Sequence, residues 1–431
     1  MYIERILSNS ILKASKQFPV VLLTGPRQVG KTTLLQNLAD QEPSKIRTFI
    51  TLDDPNIRQL AATDPALFFQ RFQGPLLIDE IQYAPGLLPY IKMMVDQDRL
   101  ENINGGKKIR GNGRFWLTGS QMFQVMRGIS ESLAGRIAVF HLQSLSNSEI
   151  EKTAFGPFST EPEELMKRRG KASPLPVSKT FERIFRGGMP ALAADQNMDA
   201  ERFFSSYIQT YLRRDIRDLT QVANELQFYR FLQVAAAHTA TMLVYEDIAR
   251  ESGITGPTAK QWISLLVSTG IVTLIQPWTS NALKRIIKSP RLYFLDTGLC
   301  AHLLKWGSSE TLEAGPMSGP FFETWVVSEI YKSYLNAGIE SPLYYYRDKE
   351  KKEIDLLLHA NGTLSPVEIK KTASPDKTMI RNFAVLSPLN EAAENPATPW
   401  SPSVGNGALV CQISDLLPVD QKNMYVPVSY I

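Results

Sequence analysis

Cysteine is nearly missing from this chain: Cys300 and Cys411 are the only two in 431 residues, and there are four histidines. Neither residue type clusters at a zinc-binding spacing, and two cysteines make no disulfide framework. Long apolar runs are also missing, with none near the roughly 20 residues that cross a bilayer. The opening MYIERILSNSILKASKQF is charged and amphipathic and has no apolar centre of a secretory leader. We therefore expect a cytoplasmic protein with no membrane partner. Charge of one sign is scarce as well: Lys plus Arg number 47 against 43 Asp plus Glu, a net +4. So small an excess does not mark a nucleic-acid binder, and any basic patch must be local.

What is present is a well-mixed globular composition, 43% hydrophobic and 21% charged. It supplies enough apolar surface for packed cores, and at about 150 residues per domain the length implies several of them. Composition and motif breaks place the expected borders at 1–155, 156–225, 226–300 and 301–431. Gly156 to Lys179, mixed in Pro, Gly, Ser and charge, reads as the first linker or lid.

PVVLLT, residues 19–24, reads as a buried strand running into Gly25, Pro26, Arg27, Gln28, Val29, Gly30, Lys31, Thr32 and Thr33, followed by a helix over Leu34 to Ala39. The G-x-x-x-x-G-K-[ST] spacing lets backbone N–H groups turn inward on phosphate oxygens at the positive end of a helix. Lys31 is placed to reach the β- and γ-phosphates, and Thr32, rather than Thr33, to put its hydroxyl on Mg²⁺.

A second motif answers the first. Pro75 to Glu80 is an apolar strand ending in two carboxylates, of which Asp79 suits Mg²⁺, reached through water, and Glu80 suits the base that activates an attacking water. Arg47 to Leu52, Arg114 to Thr118 and Ile137 to Leu142 read as further strands. Helical segments between strands predict a parallel sheet with its ligand beyond the carboxyl ends.

The motifs GPRQVGKTT (25–33), LDDP (52–55), LLIDEIQ (76–82), LTGSQ (117–121) and SLAGR (132–136) resemble those of the bacterial and archaeal AAA-type ATP-binding proteins that carry a C-terminal domain called DUF4143, and the likeness runs almost end to end. The resemblance implies an ATPase core using ATP and Mg²⁺. It also implies that Thr118 and Ser120 sense the γ-phosphate, and that Arg136 is a candidate arginine acting in trans, or else half of an ion pair, with a second copy of the chain as partner.

Tyr211 to Ile216 reads as a helix whose Arg213 and Arg214 flank Asp215. Tyr245 to Ile254 and Thr255 to Ser268 read as two helices joined by a turn at Gly253, with Trp262, Leu265 and Leu266 inward. Strands at Gly270 to Ile275 and Arg291 to Leu295 complete a winged-helix pattern. Lys284, Arg285, Lys288 and Arg291 would meet DNA phosphates on the wing, and Lys260 and Gln261 are the helix residues that would reach bases, which predicts weakly specific contact. A lid packing on the nucleotide domain, touching no DNA, fits the same pattern.

In the last third, Glu323 and Glu329 lie on an amphipathic helix, at an angular separation that keeps them out of one site. Leu343 to Arg347, Glu353 to Leu358 and Pro366 to Lys370 read as strands, the last two joined by a turn at Gly362. Asp355 with Glu368 and Lys370 forms a D…E-x-K constellation: alternation puts Glu368 and Lys370 on one face of the hairpin beside Asp355, where two carboxylates can hold a divalent cation and a lysine can orient its water. Ile354 stands where the nominal motif has proline. The segment resembles PD-(D/E)xK restriction-endonuclease-like domains, with Glu323 matching their accessory acid, a fold that also persists without activity. Glu391 to Asn406 reads as an irregular excursion before closing strands at Ala408 to Ile413 and Met424 to Ile431.

The expected architecture is thus α/β: an AAA-like P-loop parallel-sheet domain, a winged-helix middle domain and a restriction-endonuclease-like C-terminal domain. The expected function is a Mg²⁺-dependent ATPase that couples nucleotide binding and hydrolysis to DNA binding or processing. The alternative is an ATP-dependent switch that binds a protein or DNA through a catalytically inactive C-terminal domain. A small-molecule kinase accounts for the phosphate loop alone.

Overall fold

The computed structural model describes residues 2–42, 46–103, 111–120, 132–212, 225–279, 289–389 and 402–431. The chain divides into two compact bodies. One is Met1–Leu145 with the short returns Ser268–Gly270 and Leu335–Ile339; the other comprises Ser146–Val267, Ile271–Tyr334 and Glu340–Ile431.

The first body is built on five strands, β1 (Val20–Thr24), β2 (Thr48–Thr51), β3 (Leu76–Asp79), β4 (Phe115–Gly119) and β5 (Ile137–His141). They lie in the order β2-β3-β4-β1-β5 and every pairing is parallel. β1, β3 and β4 are buried along their whole length, which is why they read as unbroken apolar runs rather than alternating ones. Val20, Leu22, Ile50, Ile78 and Leu117 pack with Phe68, Ile91 and Val95 from the crossover helices into one core. The register pairs Ile78 with Leu117, and Leu22 with both Leu117 and Val139. Asp54 and Asp64 start two consecutive helices by accepting from backbone N–H groups of the first turn, each followed by proline.

The second body holds a ten-stranded sheet. Its strands are β6 (Thr241–Met242), β7 (Val272–Pro277), β8 (Arg291–Phe294), β9 (Leu343–Arg347), β10 (Glu353–Ala360), β11 (Thr363–Ile369), β12 (Ser403–Val404), β13 (Gly407–Cys411), β14 (Leu417–Pro418) and β15 (Asn423–Pro427). The order is β14-β15-β13-β11-β10-β9-β7-β8-β6, with β12 beside β11. Helices Glu225–Ala237, Tyr245–Ser252 and Gly256–Ser268 precede β7. Phe228 and Phe231 pack edge-on against Trp262 with ring centres 5.0 and 5.2 Å apart, and Leu265 and Leu266 are buried beside it.

β7 and β8 are antiparallel, and β7 also pairs in parallel with β9 through Gln276↔Tyr344 and Pro277↔Tyr345. The expected border at residue 300 falls in the helix Thr297–Leu303, between strands that share one sheet. The segment expected as a linker carries the helix Pro162–Arg169, because Arg168 is buried: its guanidinium donates to the carbonyl oxygens of Gly156, Pro157 and Tyr430. Arg213, Arg214 and Asp215 lie outside the described residues.

Candidate functional site

The phosphate loop leaves β1 at Gly25 and enters the helix Lys31–Asp40 at Gly30. A Cβ on Gly25, whose φ is +140°, would stand 2.0 Å from the Leu142 carbonyl oxygen, so the chain passes β5 only as glycine. Gly30, at φ 90°, caps the helix and offers no side chain to its first-turn N–H groups. Those amides remain aimed into the loop, where the helix end favours an anion. Arg5 is buried and donates to the Val29 carbonyl at 2.9 Å and to Gln143 at 2.8 Å, bracing the loop from behind.

Lys31 is 6% exposed, and its Nζ donates to the carbonyls of Gly25 at 3.1 Å and Pro26 at 2.8 Å. The ammonium is thus anchored at the centre of the loop. Arg27 reaches the Tyr83 hydroxyl at 3.4 Å, and Arg58 stacks over the same ring at 4.1 Å. Gln28, Val29 and Gly30 complete the loop, and Thr33 is exposed.

Asp79 ends β3 beneath this loop. Its Oδ1 accepts from Thr32 Oγ1 and from Thr118 Oγ1, both at 2.6 Å, and Thr51 Oγ1 lies 3.5 Å from Oδ2. Thr32, not Thr33, faces the acidic strand. Glu80 follows with φ 57°, turning the chain out of the strand; its N–H donates to Thr118 Oγ1 at 3.0 Å. Its Oε2 accepts from Ser120 Oγ at 3.0 Å and from Gln82 Nε2. Thr118 near the end of β4 thus touches both acidic residues, and Ser120, just past the strand, holds the Glu80 carboxylate. The donor set of Thr32 and Asp79, hard oxygens side by side, fits a divalent cation.

Arg136 is engaged within its own chain. Its Nε and Nη2 donate to the two oxygens of Asp96 at 2.6 and 3.0 Å, a bidentate pair that fixes the guanidinium. This contact agrees with the ion-pair reading of Arg136.

The C-terminal residues converge as well. The β10–β11 hairpin turns at Asn361 and Gly362, both with positive φ, and its register Leu356↔Val367 puts Asp355 across from Glu368. The pairing with β9 shifts register between Ile354 and Leu357, the stretch that holds Asp355. Lys370 Nζ bridges the two acids, 2.6 Å from Glu368 and 3.2 Å from Asp355. The Ile369 N–H donates to Asp355 at 2.9 Å. Glu323 joins from the helix Ser318–Asn336, accepting from Tyr293 Oη at 2.7 Å. Glu329 does not: it is buried elsewhere with Lys332 and the Asn147 N–H.

Arg291 corrects an expectation. Placed on the wing as a phosphate contact, it is instead 6% exposed and points into the acid cluster from β8. It lies 2.7 Å from Glu353, 3.3 Å from Glu323 and 3.7 Å from Asp355. The physical reason is the β7–β9 pairing, which puts β8 and the acidic hairpin in one sheet, so that the long Arg291 side chain reaches acids whose burial without a counter-charge would be costly. Lys284, Arg285 and Lys288 lie outside the described residues. Lys260 and Gln261 are exposed on the helix Gly256–Ser268.

Burial, then repulsion from Asp355, pushes Glu323 up to about 7 and Glu368 up to about 8. Burial pulls the other way on both cations, yet Asp355 and Glu368 hold Lys370 above its ordinary value, and Tyr293, then Glu323 and Asp355, do the same for Arg291. Among the described residues Glu368 Oε2 is buried with no hydrogen-bond partner. No group of three or more His, Cys, Asp or Glu side chains among the described residues is disposed as a metal site.

Gln82, Arg5, Tyr293 and Glu353 make contacts at these sites that the sequence pattern did not assign. Gln82 alone carried a signal, as the last residue of LLIDEIQ.

A parallel sheet that delivers a lysine-bearing glycine loop and an acid-tipped strand to the same edge defines a P-loop ATPase domain of AAA type. Family models match the chain in three consecutive pieces: an AAA domain, AAA_14, over residues 17–151, a domain of unknown function, DUF8612, over 178–310, and a domain of unknown function, DUF4143, over 318–431. Uncharacterized proteins of Mycobacterium tuberculosis and Mycobacterium bovis are each 30% identical over 378 residues, covering 87% of this chain and 76% of theirs. The chain belongs to the family of AAA-type ATP-binding proteins with a C-terminal DUF4143 domain. Among solved structures, the Walker-type ATPase of Pyrococcus abyssi matches at TM-score 0.41 and 15% identity, over 69% of this chain and 94% of that one. The ORC2 protein of Aeropyrum pernix matches at 0.31 and 13%, over 69% and 90%. Among the described residues no helix is long and apolar enough to cross a membrane.

Proposed function

We propose that this protein is a Mg²⁺-dependent ATP hydrolase whose nucleotide state governs DNA binding or processing by its C-terminal domain. Lys31 and the inward N–H groups of the loop bind the phosphates, and Thr32 and Asp79 would hold the metal. Mg²⁺ there would neutralise charge on the phosphate oxygens. Glu80 takes a proton from the attacking water, while Thr118 and Ser120 tie both acids to β4 and register the γ-phosphate.

The observation that carries the DNA-processing half is the convergence of Glu323, Asp355, Glu368 and Lys370 from one helix and one hairpin. Asp355 and Glu368 would hold a divalent cation, which would polarise a phosphodiester and acidify its water. Lys370 orients the nucleophile. The helices before β7, with β6, β7 and β8, read as a winged helix; exposed Lys260 and Gln261, with Lys284, Arg285 and Lys288, supply loosely specific DNA contacts.

One observation favours the second reading, a switch whose C-terminal domain binds without cutting: each acid that a metal would need already faces a cation, Asp355 at 3.7 Å from Arg291 and Glu368 at 2.6 Å from Lys370. The two readings separate in one experiment. ATP turnover is followed with plasmid, branched or single-stranded DNA present, and DNA integrity is read from the same tubes. The expected result is metal-dependent cutting that Asp355→Ala abolishes while ATP turnover persists. Cutting that survives Asp355→Ala rejects the nuclease site, and wild-type protein that never cuts selects the switch.

A further inference from the structure

Glu80 is gripped by a side chain to which no task has been given. Gln82 lies on the single helical turn Ile81–Tyr83, which Glu80 opens in a left-handed conformation. That turn closes the two side chains onto each other, so that Gln82 Nε2 donates to Glu80 Oε2 and also reaches Ser120 Oγ at 3.1 Å. Ser120 Oγ donates to the same Glu80 oxygen at 3.0 Å. Both donors therefore meet on Oε2, and Oε1 accepts from neither.

Packing does not explain this amide. Gln82 is 7% exposed, and its Oε1 is buried with no hydrogen-bond partner among the described residues. A leucine would fill the same volume without desolvating a polar atom. A lysine would grip Glu80 more tightly, but its charge would depress the carboxylate's basicity and compete with the cation beside Asp79. A neutral donor orients the carboxylate and leaves its charge intact.

We infer that Gln82 is a positioning residue for ATP hydrolysis, acting through Glu80: together with Ser120 it fixes the rotation of the carboxylate so that Oε1 is presented to the attacking water. Glutamate has three side-chain torsions, and a general base works only within hydrogen-bond reach of the proton it removes. Tethering Oε2 at two points removes that freedom before the nucleotide arrives. The inference rests on the reading of Glu80 as the base.

The test is a double-mutant cycle on the full chain, comparing wild type, Gln82→Leu, Gln82→Met, Glu80→Gln and Glu80→Gln combined with Gln82→Leu. Turnover of ATP, affinity for a fluorescent ATP analogue and the melting temperature are measured for each. Gln82→Leu and Gln82→Met are expected to lower kcat by about 10- to 100-fold. KM and nucleotide affinity should stay within about twofold. In the Glu80→Gln background the Gln82 substitution should cost nothing more, because the group it acts through is gone. An equal fractional loss in both backgrounds overturns the inference, as does wild-type kcat in the single variants or a loss that tracks nucleotide affinity and melting temperature. Wild-type turnover by Glu80→Gln instead removes the general-base reading itself.

Discussion

Lys31→Ala is expected to lower ATP turnover by at least about 100- to 1,000-fold, the effect of losing a fixed charge aimed at transferring phosphoryl oxygens. The fixed geometry explains the size. Lys31 Nζ is held by the Gly25 and Pro26 carbonyls at 3.1 and 2.8 Å, so its charge arrives pre-oriented and costs little further ordering. Alanine removes the charge and also leaves two carbonyls of the loop without that donor. Phosphate release measured at saturating ATP, with circular dichroism to verify folding, checks the prediction. A variant that keeps turnover within about threefold of wild type would show that the loop binds nucleotide without catalysing its hydrolysis.

The second large effect is on stability. Arg291→Met should destabilise the C-terminal body by about 3–5 kcal/mol, the usual cost of removing one partner from a buried ion network. Glu323, Glu353 and Asp355 all lie within 3.7 Å of this guanidinium. Burial and mutual repulsion already disfavour the ionised forms of Glu323 and Glu368, and losing the arginine sharpens that conflict. Adding Glu323→Gln should restore part of the loss, since it removes one of the stranded charges, so the two substitutions will not add. Urea unfolding followed by tryptophan fluorescence tests both statements. A single variant as stable as wild type would mean that the acids bind their protons without the arginine, and that Arg291 is not what neutralises them.

Much of both sites was legible in the sequence because their residues are close along the chain or locked by a local rule. Gly25 to Thr33 is one loop, Asp79 and Glu80 are the tip of one strand, and Asp355, Glu368 and Lys370 belong to one hairpin whose Asn361–Gly362 turn sets the register. Alternation along β11 then places Glu368 and Lys370 on one face, and Lys370 bridges both acids as that alternation requires. The separation of Glu323 from Glu329 follows in the same way from helical spacing.

The sequence by itself determined the phosphate loop, the acid strand, the parallel order of helix and strand around them, and the hairpin acids, because each depends on spacing over a few residues. Only the tertiary structure decided which distant side chains complete them. Arg291 looked like one of four cations on a wing until the β7–β9 pairing turned it into the acid cluster. Arg136 carries two readings in the sequence, and only the fold shows Asp96 paired with its Nε and Nη2. Gln82 stood inside a motif with no assigned role until the left-handed turn at Glu80 brought it onto the carboxylate. Strand order and side-chain reach fix these contacts, and neither leaves a periodic trace in the residues that make them.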